Sequence, residues 1–310
     1  MTLKSLVKTT FISPDEPRLR AGWRLLLQTL LIFVIGTGLG ILMFVFPMPL
    51  AVTQLATNML ANQIFELIAF TGSIYLARRL LDRRSFVSLG LRWDREALLD
   101  VLVGIGISAA MMVLIFVIQW GFGWLTFEGF AWGSIAGVTA LQQTLLALLI
   151  FILVGWNEEL LSRGYHLQTL ESGLNRFWGV LLSSAVFGVL HLANPNATWI
   201  GAAGILLAGI FLAYGYLRTE QLWLPIGLHI GWNFFEGVVF GFPVSGLKTF
   251  SLIQIEVAGP TILTGGAFGP EAGLVLLPGM LLGAALIWLY TRSCESGVGS
   301  RESGVRSRES

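Results

Sequence analysis

Apolar residues fill long stretches of this chain, and the polar breaks between them are short. A helix rises 1.5 Å per residue and a bilayer's hydrocarbon core is about 30 Å thick, so one crossing takes roughly 20 mostly apolar residues. Eight stretches meet or approach that length: Trp23 to Phe46, Leu55 to Leu81, Leu98 to Trp120, Val138 to Leu170, Phe177 to Leu192, Trp199 to Leu217, Leu222 to Phe240 and Gly273 to Tyr290. The pattern predicts an all-α fold, a polytopic transmembrane helical bundle of about eight helices. The runs lie too close together for separate soluble domains. The chain therefore divides into a polar N-terminal segment over 1–22, a transmembrane helical domain over 23–290 and a tail over 291–310. In that tail ESGVGSR is followed by ESGVRSR, which offers nothing to bury and predicts disorder.

Composition supports lipid as the solvent. Hydrophobic residues make up 55% and charged residues 12%, whereas a soluble domain carries about a quarter charged residues; mean hydropathy is +0.76. A net charge of +1 supplies no long-range field to recruit nucleic acid, which is not expected as a partner. The first apolar run follows a polar stretch with Pro14 and Pro17, too far in and too long for a cleaved signal. A single cysteine, Cys294, excludes an intrachain disulfide. Threading the eight stretches alternately gathers Lys4, Lys8, Arg18, Arg20 and Arg24 on one side with the arginines from Arg78 to Arg95, Arg176, Arg218 and Arg292. The opposite loops 47–54, 121–137 and 193–198 hold no Lys or Arg, and the last holds only Lys248. The positive-inside rule then places both termini in the cytoplasm, N-in and C-in, and assigns the arginines between Arg78 and Arg95 to orientation and contact with anionic lipid.

Ionisable side chains inside such helices cost about 2.5 to 3.5 kcal/mol each on insertion scales, so each needs a partner, a wet cavity or a function. The densest set follows the apolar run Leu141 to Trp156: Asn157, Glu158, Glu159, Arg163 and His166. Adjacent helical residues point about 100° apart, so Glu158 and Glu159 face different ways. Glu159 and Arg163, at i and i+4, can pair, which frees Glu158 to face a cavity. His191 follows Phe187 by four residues, and His229 precedes Asn233 by four, so the latter two share a helix face. Counting from a turn near Ser172 to Asn175 puts Glu158 and His191 both about 22 to 26 Å along their helices. His229 lies only about 13 Å beyond the break at Thr219 to Gln221, a mismatch that tilt or a longer turn must absorb. The second stretch carries Asn58, Asn62 and Glu66 at four-residue intervals, which turns one polar face towards protein or water.

Chemically, a carboxylate and an imidazole sharing a water can remove its proton, while a second imidazole and an amide can donate to the oxyanion formed when that water attacks a peptide carbonyl. The same Glu158, His191 and His229 could instead hold a divalent metal such as zinc, although no H-E-x-x-H spacing is present. Buried Glu and His also suit an ion- or proton-coupled transporter.

At these residues the chain resembles the CPBP family (CAAX protease and bacteriocin-processing, ABI), a group of membrane peptidases that includes the type II CAAX prenyl endopeptidases. Three motifs match in order: E-E-x-x-x-R as Glu158, Glu159 and Arg163; F-x-x-x-H as Phe187 and His191; H-x-x-x-N as His229 and Asn233. They span a catalytic core over 138–240. The resemblance implies an intramembrane endopeptidase in which Glu158 and His191 activate water, His229 and Asn233 stabilise the oxyanion, and Glu159 and Arg163 brace the site. No cofactor is required on that reading. It further implies a membrane protein or peptide as substrate, the lipid bilayer as surroundings and a bacterial cytoplasmic membrane as location. A catalytically silent scaffold or bacteriocin-immunity factor would share the fold.

Overall fold

The computed structural model describes residues 9–14, 16–45 and 54–306. Residues 1–8 of the polar N-terminal segment and 307–310 of the tail lie outside them. The chain forms α1 (Ala21–Val45), α2 (Gln54–Leu80), α3 (Arg95–Gly121), α4 (Gly137–Gly173), α5 (Arg176–Leu190), α6 (Trp199–Thr219), α7 (Trp223–Asn233) and α8 (Leu276–Arg306). Among the described residues, seven helices are long and apolar enough to cross a membrane, and the fold is an all-α polytopic bundle with one small sheet.

The expected crossing Leu222 to Phe240 is the exception. It has 11 α-helical residues in α7 and then six of π-helix, Phe234–Val239, a run shorter than a usual span that still leads from the face of Gln221 to that of β2. The helix is buried instead of lipid-facing: Leu224, Ile226, Leu228 and Ile230 are each at most 5% exposed. An apolar stretch this short is the signature of a core helix as much as of a span. The last helix continues to Arg306, through much of the segment expected to be a tail.

Contacts between helix ends fix which ends share a face. Arg24 in α1 pairs with Asp82, just past α2, and donates at 2.7 Å to Ser172 Oγ at the end of α4. Gln221, after α6, accepts from the Arg92 backbone N–H at 3.2 Å, and Arg218 donates at 2.9 Å to Thr291 in α8. The start of α1 and the ends of α2, α4 and α6 therefore meet on one face, with Thr291 of α8. Several arginines there are not lipid anchors. Arg18, Arg24 and Arg78 are buried around Asp82, and Arg78 also donates to Ser88 Oγ at 2.9 Å. Burial of that cluster is tolerable because Asp82 and Glu16 offset the arginines, although Arg24 Nε finds no partner among the described residues. The start of α3 is capped by Asp94, which accepts from the Ala97 N–H at 3.0 Å and from Arg92 Nε at 2.7 Å. The Ala97 bond first, and then Arg92, hold the Asp94 carboxyl below the usual carboxylate range.

At the opposite face β1 (Leu125–Phe130) pairs antiparallel with β2 (Ile253–Val257), Leu125 against Val257 and Phe127 against Ile255, with a bulge between Phe127 and Gly129. Helix α7 sits at the centre. A Cβ on Gly104 of α3 would lie 2.6 Å from Leu228 N, and one on Gly231 would lie 2.8 Å from Ile105 Cα. Only glycine permits these backbones to approach so closely. Ser108 Oγ then donates to the Leu228 carbonyl at 2.6 Å. A core cluster of Ile74, Leu89, Leu160, Tyr165, Leu222 and Ile226 ties α7 to α2 and α4.

Candidate active site

Residues Leu160–Leu167 of α4 are wound as a π-helix, directly after Glu158 and Glu159. Such insertions occur mainly at functional sites because they re-aim side chains at little cost in helix length. Glu159 is fully buried and accepts from Arg163 Nη1 at 2.8 Å and from His229 Nδ1 at 2.8 Å. Arg163 is 1% exposed; its Nη2 donates to the Gly209 carbonyl at 3.0 Å, and its guanidinium lies 4.5 Å from the Phe187 ring centroid. Arg163 thus links α4, α5 and α6. Phe187 is in turn edge-on to both imidazoles, 4.7 Å from His191 and 6.1 Å from His229.

Both histidines are oriented through Nδ1. His191 donates from Nδ1 to the Phe187 carbonyl at 2.8 Å, one helical turn back, as α5 ends and tightens into a 3₁₀ turn. His229 donates from Nδ1 to Glu159. Each ring therefore presents Nε2, and the two nitrogens stand 3.9 Å (His191) and 3.7 Å (His229) from Glu158 Oε2. These separations exceed direct hydrogen bonds and suit a small bridging group. Glu158 Oε2 is buried and without a hydrogen-bond partner among the described residues.

Asn233, 7% exposed, ends the α-helical part of α7 one turn past His229. It lines a cavity of about 40 Å³ together with His191, His229, Phe187, Ser245 and Glu271. The structure therefore gathers Glu158, Glu159, Arg163, His191 and His229 into one constellation and sets Asn233 beside it. The depth mismatch closes because the turn before α7 is sunk below the surface. Leu222 is fully buried, and its N–H donates at 2.8 Å to the carbonyl of Gly90, in the connection between α2 and α3. Gly90 adopts φ +92°, where a Cβ would sit 2.9 Å from the Glu220 carbonyl, so the covering turn requires glycine.

Helix α2 contributes more than its Asn58, Asn62 and Glu66 stripe suggested. Asn58 and Asn62 are exposed. Gln63, off that stripe, accepts from Asn157 Nδ2 at 3.0 Å through both its side chain and its carbonyl, and donates to Glu66 at 3.0 Å. Glu271 and Ser245, unassigned by sequence, also face the cavity. Among the described residues, no group of three or more His, Cys, Asp and Glu side chains is arranged to hold a metal ion; two of the three separations within Glu158, His191 and His229 exceed the spacing of ligands around a tetrahedral ion with bonds of about 2.0–2.2 Å.

No curated protein matches the chain. Residues 139–235 match a family model described as type II CAAX prenyl endopeptidase Rce1-like, and that segment runs from the start of α4 to the π-helical end of α7, enclosing every member of the constellation. The match covers about a third of the chain and is consistent with the resemblance to the CPBP group, the CAAX-type membrane proteases.

Proposed function

We propose that the protein is an intramembrane endopeptidase that hydrolyses a peptide bond with water activated by Glu158 and His191. The observation that carries this reading is the position of Glu158 Oε2, 3.9 and 3.7 Å from two imidazole nitrogens whose other nitrogens are already committed. A water in that gap gives its proton to Glu158 while His191 Nε2 orients it, and its oxygen attacks the carbonyl carbon. The carbonyl oxygen becomes an oxyanion that accepts from Asn233 Nδ2 and from His229 Nε2 when that nitrogen carries a proton. Collapse of the tetrahedral intermediate breaks the C–N bond, and the proton taken from water passes to the leaving amine. Glu159 and Arg163 touch no reacting atom; they hold His229 and Phe187 in place.

The donor set favours this route over a metal-bound hydroxide, so none of the steps uses a metal. The substrate is a membrane protein or membrane-associated peptide, since the cavity opens among apolar helices and the bilayer concentrates such chains. The direct test is cleavage by purified protein in proteoliposomes, performed in H₂¹⁸O with products read by mass spectrometry. One ¹⁸O in the new carboxyl terminus is expected, and Glu158→Gln or His191→Ala lowers the rate about 10²- to 10⁴-fold. Solute flux without cleavage would instead identify a transporter.

A further inference from the structure

The cavity holds a second polar feature that the hydrolytic steps leave unused. Glu271 is 2% exposed and Glu236 is fully buried, and their carboxyls are hydrogen-bonded to each other. Two carboxyls so joined hold at least one proton, and the pair carries at most one negative charge. The pair is built, not incidental. Glu271 Oε1 accepts from the Ser245 backbone N–H at 3.2 Å, from Ser245 Oγ at 3.1 Å and from Trp232 Nε1 at 3.5 Å. Ser245 adopts φ +45°, a conformation that a non-glycine residue holds only when its surroundings impose it. Its carbonyl in turn accepts from Asn194 at 3.0 Å, three residues after His191.

What the pair lacks is a counter-charge. Glu271 Oε2 and both oxygens of Glu236 are buried and, apart from each other and the Trp232 indole beside Glu236, find no donor among the described residues. No Lys, Arg or His among those residues hydrogen-bonds to either carboxyl. A buried, uncompensated charge is expensive unless something bound to the protein neutralises it. Glu271 lines the same cavity as His191, His229 and Asn233, whose remaining wall is largely apolar, including Met111, Phe211 and Leu212.

We propose that Glu271, with Glu236, forms a specificity subsite for a cationic group, the ammonium or guanidinium of a Lys or Arg side chain or of a free amino terminus, on a substrate whose neighbouring carbonyl lies at Glu158 and His191. This assignment rests on the peptidase reading for its link to catalysis, but not for the binding itself. The site selects against anionic and neutral groups at that position, because only a cation both satisfies the free carboxylate oxygens and cancels the charge.

Two measurements test it separately from the peptidase reading. Methylguanidinium, a compact cation of five heavy atoms, is expected to bind the purified protein by calorimetry, whereas its neutral isostere methylurea is not; Glu271→Gln and Glu236→Gln each weaken methylguanidinium binding about tenfold or more. In peptide cleavage, a series with Lys, Gln or Glu scanned through positions flanking the scissile bond is expected to show one position where Lys exceeds Gln in kcat/KM by about tenfold, a ratio that falls towards one in Glu271→Gln. Glutamine keeps an acceptor for Ser245, and the ratio is read within each folded variant. Equal binding of methylguanidinium and methylurea, or an unaltered preference in both variants, overturns the subsite. If methylguanidinium binds as described while no peptide is cleaved, the subsite stands and the peptidase reading fails.

Discussion

Replacing Arg163 by alanine tests the brace of the site most severely. The side chain is 1% exposed and makes three separable contributions: a 2.8 Å ion pair with Glu159, a 3.0 Å bond to the Gly209 carbonyl and a 4.5 Å stack on Phe187. Removing one partner of a buried pair costs about 3–5 kcal/mol, because the other charge is left in a dry interior. His229 Nδ1 still reaches Glu159, which places the ion-pair loss at the low end of that range. Losing the donor to Gly209 adds about 1 kcal/mol, and the desolvated cation–π contact about 1–2 kcal/mol. We expect Arg163→Ala to destabilise the protein by roughly 5 kcal/mol, measured by reversible unfolding in mixed micelles. The double variant Glu159→Gln/Arg163→Met, which removes both charges and keeps volume, is expected to recover a substantial part of that loss. A loss under about 1 kcal/mol for Arg163→Ala, or strict additivity in the cycle, would refute the claim that buried charge pairing holds α4 to α5 and α6.

Further consequences can be measured independently. Gly104→Val would drive side-chain carbon into the α7 backbone 2.6 Å away and is expected to abolish monodisperse folded protein, while Gly106→Ala, with nothing within 4 Å, leaves it unchanged by size exclusion. Asp94→Ala removes the α3 cap and lowers stability at neutral pH; because the carboxyl is held below its ordinary range when folded, this contribution is present above the unfolded pKa of about 3.9 and is lost as pH falls through the folded one, so wild type and variant converge at acid pH. Chelators such as EDTA and phenanthroline leave peptide cleavage unchanged if no metal takes part, and loss of activity restored by zinc would favour the metal route.

Much of this architecture is written in residue pattern because lipid enforces it. Each of the seven spanning helices lies within a few residues of an apolar run, since a bilayer demands both length and continuous apolarity. The three motifs were legible for a related reason: Glu158, His191 and His229 are conspicuous where most neighbours are apolar. Other features depend on tertiary context. The alternation of Ile253, Ile255 and Val257 carries a strand signal, but five residues amid strong hydropathy do not announce a partner more than 120 residues earlier. The π-helix in α4 has no sequence signature of its own. Arginines near helix ends look like orientation signals, yet Arg24 and Arg78 are interior because Asp82 supplies a buried partner. Glu271 lies in a Gly- and Pro-rich connection where periodicity says nothing, and only the folded chain brings it to Ser245 and Glu236. Helix α7 is as apolar as a lipid-facing span although it is central and glycine-packed, so apolarity alone does not tell the two apart.

The gap between Glu158, His191 and His229 is where the central claim can be decided. A high-resolution experimental structure of the protein in lipid, with anomalous data collected at the zinc edge, should show one oxygen within hydrogen-bond distance of Glu158 Oε2 and His191 Nε2, and no anomalous peak. An anomalous scatterer about 2.0–2.1 Å from both imidazoles would contradict it.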